Sequence, residues 1–158
     1  MSGYHANIDL PSPETTARFA ADLATRLRAG DVLLLSGPVG AGKTHFARHL
    51  ITRLLITPED IPSPTFTLVQ TYQGASGEIW HADLYRLNDS AEIVELGLSD
   101  AFETSICLVE WPDRLGDMAP KDALTLTFTP EKDENRRRLV ALWQQGDWEH
   151  RIGDLFDG

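Results

Sequence analysis

The sequence lacks several features that would point to a secreted, membrane or metal-stapled protein. Its only cysteine, Cys107, lies in the apolar run ICLV, so we expect a small buried side chain and no disulfide or zinc site. The stretch MSGYHANIDLPSPE has neither the basic lead nor the apolar core of a signal peptide. No window approaches the ~18 apolar residues of a membrane helix. We therefore expect a cytoplasmic protein without membrane association.

Basic residues are also scarce. The chain has 14 lysines and arginines against 24 aspartates and glutamates, which gives a net charge of -10. A chain of this charge repels a phosphate backbone at long range. The one basic cluster, Arg136 to Arg138, lies within EKDENRRRL among acidic and amide neighbours, and this composition favours a solvated turn over a nucleic-acid patch. We do not expect the chain alone to bind nucleic acid in bulk.

Length and composition predict a single domain over residues 1–158. The 42% hydrophobic content is enough to form one buried core without disulfide bonds or structural metal ions. Repeats and low-complexity blocks are missing, and helical and strand patterns alternate along the chain. Parallel strands around a glycine-rich loop are joined here by hairpins, which need antiparallel pairing. The sequence therefore predicts an α/β sandwich with a mixed, mainly parallel central sheet flanked by helices.

The first third of the chain predicts two amphipathic helices around a buried strand. In SPETTARFAADLATRLRAG apolar residues recur every four positions, with Ser12 as a cap, Pro13 in the first turn and Gly30 at the end. The run DVLLLSG is continuously apolar, as in a central strand covered on both faces. Apolar residues from Phe46 to Leu54 then mark the second helix.

The remainder predicts further strands and short helices. FTLVQTY and EIWHADLYR, separated by GASG, indicate a hairpin or two neighbouring strands. NDSAEIVELGLSDAF is helical with a possible break at Gly97, and SICLVE is a buried strand. Apolar residues from Leu124 to Phe128 alternate with threonines in a predicted outer strand, RLVALWQ forms another, and a closing helix follows. Alternation in EIWHADLYR places two sets on opposite faces: Ile79, His81, Asp83 and Tyr85 on one, and Trp80, Ala82 and Leu84 on the other.

The stretch GPVGAGKT, residues 37 to 44, matches the phosphate-binding pattern GxxxxGK[ST] and lies directly between a buried strand and a helix. Its glycines let successive amides point into one concavity, and the helix N-terminus adds positive potential. Lys43 reaches the β- and γ-phosphates, and the Thr44 hydroxyl ligates magnesium. We expect a nucleoside triphosphate site formed by Gly37, Pro38, Val39, Gly40, Ala41, Gly42, Lys43, Thr44 and His45.

Two acidic residues are candidates for magnesium ligation and hydrolysis, which a phosphate cradle alone does not supply. Glu110 ends the run ICLVE, where a strand-end carboxylate holds magnesium directly or through water. Asp83 lies in HADLYR with His81 on its face. The pattern leaves open which acid is the direct ligand and whether His81 is a structural partner or a catalytic group.

The segment IPSPTF, residues 61 to 66, is an extended stretch stiffened by two prolines. It lies between the loop helix and the next strand, where nucleotide-hydrolysing proteins often carry a switch that senses the γ-phosphate. Thr65 could then contact magnesium or the γ-phosphate. A rigid loop that starts a strand is the alternative.

Four blocks, GPVGAGKT, SPTFTLVQTY, HADLYRL and VEWPDRL, resemble in order and spacing the bacterial tRNA threonylcarbamoyladenosine biosynthesis family TsaE. The resemblance spans about residues 12 to 145. It implies a P-loop ATPase, with ATP and Mg²⁺, that acts on a complex of the transferase TsaD with TsaB. In such an assembly the partners hold the tRNA, so this chain would meet tRNA only indirectly.

The resemblance also implies roles for single residues. Lys43 and Thr44 would hold phosphate and magnesium, and Glu110 would be a magnesium ligand. Asp83 would be needed for hydrolysis. Thr65 would belong to the switch, and Trp111 would lie close to the nucleotide.

Two other functions stay open on the residues alone. A small-molecule or nucleotide kinase uses a similar loop, but it usually needs an arginine-bearing lid. Arg136 to Arg138 is the lid candidate, and its acidic surroundings argue against that role. The other alternative is a module that senses ATP with little hydrolysis, because no arginine finger or activating glutamine is recognisable. We accordingly expect slow hydrolysis by the isolated chain, and the lack of an NKxD segment favours adenine over guanine.

Overall fold

A single sheet organises the chain. The computed structural model describes residues 4–38, 41–62, 64, 67–89, 91–132 and 136–156, without the side chain of Tyr4. Within these residues seven strands share the sheet. In chain order they are β1 (Tyr4–Leu10), β2 (Val32–Ser36), β3 (Val69–Gly74), β4 (Gly77–Asp83), β5 (Ile106–Glu110), β6 (Leu124–Pro130) and β7 (Arg137–Trp143).

Helices connect these strands and cover the sheet. The α-helices of the described ranges are α1 (Pro13–Ala24), α2 (Lys43–Leu54), α3 (Ala91–Glu95), α4 (Leu98–Thr104) and α5 (Trp148–Ile152). Short 3-10 helices occupy Pro112–Met118 and Gly153–Phe156. None of the helices that the structure describes is both long and apolar enough to pass through a bilayer.

The strand order explains why distant segments meet. Across the sheet the strands lie in the order β1-β7-β6-β2-β5-β4-β3. The four central strands, β6, β2, β5 and β4, run parallel, while β3, β7 and β1 pair antiparallel. The predicted mixed, mainly parallel sheet is confirmed. Because parallel strands end at the same edge, the loop after β2 and the ends of β4 and β5 come together.

Two apolar clusters lie on opposite faces of this sheet. The larger includes side chains of α1, α2 and α5, and the smaller includes those of α3 and α4. Strand β2 contributes to both, since Leu33 and Leu35 belong to the larger cluster and Leu34 to the smaller. All three are buried. This confirms the prediction that DVLLLSG is a central strand covered on both faces.

The prediction of an outer strand around Leu124 to Phe128 is wrong. Strand β6 pairs with β2 on one side and with β7 on the other, and β1 occupies the edge. Its alternation has another cause. Leu124, Leu126 and Phe128 are buried, whereas Thr125 and Thr127 on the opposite face are only half-buried. The alternation of buried and half-buried residues therefore means that one face of this inner strand is partly exposed to solvent. It does not mark a strand at the edge of the sheet.

Two further expectations need correction. Helix α1 starts as predicted, with the Ser12 hydroxyl accepting from the Thr15 amide at 3.1 Å, but it ends at Ala24 and not at Gly30. The Thr25 hydroxyl donates to the carbonyl of Asp22, which helps to close the last turn early. The segment Arg136 to Arg138 is not a solvated turn, because β7 begins at Arg137.

Strand β1 and the 3-10 helix Pro112–Met118 were not predicted, and β7, predicted as an outer strand, lies between β6 and β1. The hairpin and the closing helix agree with the prediction apart from their bounds. Strands β3 and β4 form an antiparallel hairpin, but β3 starts at Val69 and β4 stops at Asp83. Gly97, with φ of 86°, separates α3 from α4 as expected. Trp148 and Ile152 are buried in the closing helix.

The thiol of Cys107 should react only when the protein unfolds. Cys107 is fully buried, and burial raises the pKa of its thiol to about 12. Near pH 8 the thiolate, which is the nucleophile, is then on the order of 1000-fold scarcer than for an exposed cysteine. We expect negligible reaction with Ellman's reagent in the native protein and full reaction in denaturant.

A variant supplies the control for that measurement. Ile56 is 67% exposed, so Ile56→Cys in a Cys107→Ser background should react at the rate of a free thiol. A native Cys107 that reacts as fast as this variant would contradict the buried placement of β5.

Candidate nucleotide-binding site

The glycine-rich loop joins the end of β2 to the start of α2. Gly37 leaves the strand with φ of 134°, and Gly42, with φ of 102°, precedes the first residue of the helix. The amide of Ala41 donates to the carbonyl of Pro38 at 3.1 Å, which joins the described residues on either side of the loop's middle. Val39 and Gly40, like Thr65, lie outside the described residues, so the roles predicted for them stay predictions.

The requirement for glycine at position 37 comes from the neighbouring strand. A Cβ atom on Gly37 would lie 2.5 Å from the carbonyl oxygen of Phe128 on β6. A positive φ also disfavours any residue with a side chain there. The loop therefore rests directly on the β6 backbone, and this contact helps to fix where the loop leaves the sheet.

Lys43 places its ammonium group inside the loop. The residue is 5% exposed, and its Nζ donates to the carbonyl of Gly37 at 2.5 Å. The same atom lies 3.7 Å from the centre of the Trp111 ring, a cation–π distance. Burial lowers the pKa of Lys43 below its ordinary value, while the nearby Glu110 acts in the opposite direction. A positive charge is thus held against the loop where a phosphate would enter.

A chain of hydrogen bonds joins the helix to the strands. The Thr44 hydroxyl donates to Glu110 Oε1 at 2.9 Å, and His81 Nε2 donates to Glu110 Oε2 at 2.7 Å. Glu110 is 2% exposed and His81 is fully buried. A carboxylate only accepts, so both of its oxygens are engaged and its plane is fixed. Among the described residues His81 Nδ1 has no hydrogen-bond partner.

Asp83 lies beside Glu110 on the adjacent strand. The two residues are in register where β4 and β5 end, and Asp83 is 5% exposed. Its Oδ1 accepts from the backbone amide of Tyr85 at 3.0 Å. The predicted alternation on β4 is confirmed, since Ile79 belongs to the larger cluster and Ala82 to the smaller.

Tyr85 was predicted to share a strand face with Asp83, but it follows the end of β4, so the alternation of a strand does not apply to it. Its ring packs against Trp111 with 4.9 Å between ring centres. The Trp111 ring of this pair lies beside the ammonium of Lys43. Trp111 therefore lies beside Lys43 of the loop, and its predicted closeness to the nucleotide stays a prediction.

Two residues with unusual backbone angles flank the site. Within the described ranges, Leu68 and Trp111 are the non-glycine residues with positive φ, at 67° and 59°. Each such conformation costs about 1–3 kcal/mol and concentrates at functional sites. The Leu68 amide donates to the Pro64 carbonyl at 2.7 Å, and the Leu68 carbonyl accepts from the Asp83 amide at 2.8 Å. The backbone after IPSPTF is thereby connected to Asp83.

The donor groups suit a magnesium ion. The Thr44 hydroxyl and the carboxylates of Glu110 and Asp83 offer oxygen atoms, which this hard cation prefers. In the part of the chain that the structure covers, no cluster of three His, Cys, Asp or Glu side chains forms a self-contained metal site. Magnesium usually takes one or two carboxylates together with substrate phosphates and water, so the protein groups here fit such shared ligation.

One predicted residue points away from the loop, and one contact was not foreseen. His45 Nε2 lies 3.1 Å from the Pro13 carbonyl at the start of α1, so its side chain contacts that helix. Arg137, in contrast, donates from Nε to the Ala41 carbonyl at 2.9 Å. Alternation along β7 could have indicated only that Arg137 lies on the same face as the buried Leu139 and Ala141; the contact itself depends on the order of the strands in the sheet.

Comparison with known proteins gives the family. The family model described as threonylcarbamoyl adenosine biosynthesis protein TsaE matches residues 10–139. The chain belongs to the TsaE family. The "tRNA threonylcarbamoyladenosine biosynthesis protein TsaE" of Rickettsia prowazekii is 39% identical over 148 residues, which cover 94% of this chain and 96% of the relative. The protein of that name from Bacillus subtilis is 36% identical over 126 residues, 79% of this chain and 78% of the relative.

A solved structure extends the agreement to the ends of the TsaE-type fold. The crystal structure of Bacillus subtilis YdiB superposes with a TM-score of 0.79 and 26% sequence identity. The match covers 98% of this chain and 96% of that chain. It therefore includes β1 and α5, which lie largely outside the range of the family model.

Replacing Gly37 with alanine should destabilise the protein, because the new side chain would clash with β6. Gly37→Ala introduces the 2.5 Å contact with Phe128, and alanine at a positive φ adds strain. We expect the free energy of unfolding, measured by urea titration, to fall by about 1–3 kcal/mol or more.

Gly153→Ala is the matched control for this change. Gly153 has an ordinary φ of -54°, and a Cβ atom there would be 3.8 Å from the nearest side-chain carbon. Its unfolding free energy should stay within ~0.5 kcal/mol of the native value. Equal stability of the two variants would show that β6 does not constrain the loop.

Proposed function

We propose that this TsaE-family protein binds ATP with magnesium and hydrolyses it in the biosynthesis of tRNA threonylcarbamoyladenosine. One observation carries the proposal: the Thr44 hydroxyl meets the Glu110 carboxylate at 2.9 Å directly beside the loop that holds Lys43. Asp83 stands in register next to Glu110. The names of the curated relatives supply the pathway.

The loop and Lys43 bind the phosphates. The ammonium of Lys43 exchanges the Gly37 carbonyl for the β- and γ-phosphate oxygens, which are stronger acceptors because they are charged. Helix α2 begins at Lys43, directly after the loop, and its N-terminus adds positive potential there. The neighbouring Trp111 ring keeps one side of the lysine dry.

Thr44, His81 and the two acids have separate roles in magnesium binding and hydrolysis. Thr44 and Glu110 would hold magnesium, which when bound neutralises charge on the β- and γ-phosphate oxygens. His81 donates to Glu110 and fixes its orientation, so His81 is a positioning residue. Asp83 keeps one oxygen on the Tyr85 amide, and we assign its carboxylate to orienting the attacking water.

The proposed partners are homologues of TsaD and TsaB. With a net charge of -10 this chain would contact tRNA only indirectly, through the complex. An activating glutamine is not recognisable in the sequence, so hydrolysis should be slow in the isolated protein. Partner stimulation then regulates turnover.

Arg136 to Arg138 does not support the kinase alternative. Arg138 pairs with Asp9 at 2.9 Å, and Arg137 contacts the loop backbone. Two of the three arginines therefore belong to β7 and are not arranged as a closing lid.

Substitutions on both sides of the site should stop hydrolysis. We expect Lys43→Ala and Asp83→Ala each to reduce phosphate release by about 100-fold or more, because each removes a group that stabilises or orients the reacting phosphate. The measurement is phosphate release from ATP, alone and with TsaD and TsaB from the same source. The two partners should stimulate the native protein.

Lys121→Ala and Asp122→Ala are the controls, since both side chains are exposed and precede β6, whereas the loop abuts Phe128 towards the other end of that strand. They should keep the native rate. A native rate that TsaD and TsaB leave unchanged would argue against the proposed role. ATP binding without measurable release under any condition would favour a sensing module, and rapid transfer of phosphate to a small acceptor would favour a kinase.

A further inference from the structure

Arg137 reaches the phosphate loop from β7, which lies two strands away from β2 in the sheet. Its Nε donates to the Ala41 carbonyl at 2.9 Å, and the same nitrogen lies 3.9 Å from the position that a Cβ of Gly42 would occupy. Arg137 and Ala41 are 96 positions apart in the chain. The guanidinium therefore joins β7 to the residues just before α2.

The strand pattern explains why this arginine makes the contact and its neighbour does not. Leu139 and Ala141 on β7 are buried in the larger cluster, which includes α1 and α2. Arg137 lies on their face because side chains alternate along a strand. Arg138 lies on the opposite face, where it pairs with Asp9 at 2.9 Å and with Asn7 Oδ1 at 2.8 Å.

The β6–β7 hairpin thus supports the loop near both of its ends. On β6 the carbonyl of Phe128 abuts Gly37, where the loop leaves the sheet. On β7 Arg137 holds Ala41, where the loop enters the helix. One contact constrains the loop sterically, and the other constrains it by a charge-assisted hydrogen bond, which is stronger than a neutral one.

The second contact fixes the orientation of one peptide group. In a planar trans peptide the carbonyl and the following amide point in opposite directions. Since the Ala41 carbonyl faces Arg137, the Gly42 amide faces away from β7. In the GxxxxGK[ST] pattern the backbone amides of this loop form the phosphate cradle.

We propose that Arg137 is a positioning residue for nucleotide binding: it holds the Ala41–Gly42 peptide so that the Gly42 amide is presented to the phosphates. This inference rests on the proposed function, because it assigns how the ATP site is kept in shape. It separates binding from chemistry, since Arg137 orders the loop and Asp83 and Glu110 act at the reacting phosphate. Loss of Arg137 should therefore weaken affinity much more than turnover.

The test compares three substitutions of Arg137 by calorimetric titration with ADP and with ATP and magnesium. Arg137→Ala should weaken binding of both nucleotides about 10-fold, which corresponds to one hydrogen bond from a charged donor. Arg137→Met keeps the aliphatic stem without a donor and should behave like alanine. Arg137→Lys keeps a charged donor and should recover part of the affinity. In hydrolysis assays KM should rise about as much as the dissociation constant, while kcat should stay within about threefold.

Arg138→Ala is the matched control, because it removes the same charge from the same strand on the opposite face. Its affinity should stay within about twofold of the native value. Melting temperatures of all variants separate a local effect from unfolding, and recovery by lysine but not methionine is a pattern that a merely structural role would not produce.

The outcomes distinguish this inference from the function on which it rests. If the native protein binds ATP and Arg137→Ala binds it equally well, or if Arg138→Ala loses as much affinity, the inference fails while the proposed function stands. If Arg137→Met retains native affinity, the donor is irrelevant and the inference also fails. If the native protein binds no ATP, both are overturned.

Discussion

The hydrogen bond between the Thr44 hydroxyl and the Glu110 carboxylate joins the two halves of the site. Thr44 belongs to the first turn of α2, and Glu110 is the last residue of β5. Strands β2 and β5 are parallel neighbours with Leu35 opposite Glu110, so the chain that leaves β2 must turn over the end of β5. The glycine-rich loop makes that turn, and it thereby brings a phosphate-binding helix terminus to a carboxylate 66 positions away.

Keeping Glu110 at this place has an energetic requirement. A buried carboxylate is costly unless it is hydrogen-bonded and compensated by charge. Glu110 meets the requirement through Thr44 and His81, and its negative charge in turn favours the charged form of the nearby Lys43. Asp83 on the next strand adds a second acid at the same edge. The two carboxylates provide negative charge for binding a cation, and the loop provides positive charge for binding phosphate.

Much of this site follows from local sequence patterns. The flanks of GPVGAGKT are a buried strand and a helix, as predicted, and Glu110 ends its strand as its position after ICLV indicated. Asp83 was predicted to lie inside a longer strand, but β4 stops at this residue, in register with Glu110. Local patterns describe which face of a strand is buried, but they do not determine which strands are neighbours. For that reason the inner position of β6, the edge position of β1 and the contact of Arg137 with Ala41 could not be predicted. The positive φ values of Leu68 and Trp111 have no signature in composition, because tertiary contacts impose them.

The most direct test of this account is a double-mutant cycle between Thr44 and Glu110. The measured quantity is the gain in ATP affinity on adding magnesium, for the native protein, Thr44→Val, Glu110→Gln and the double variant. If the two groups act together on one ion, the double variant should lose little more than the worse single variant, with a coupling energy of about 1 kcal/mol or more. Losses that simply add, or a magnesium effect that survives both substitutions, would contradict the shared site.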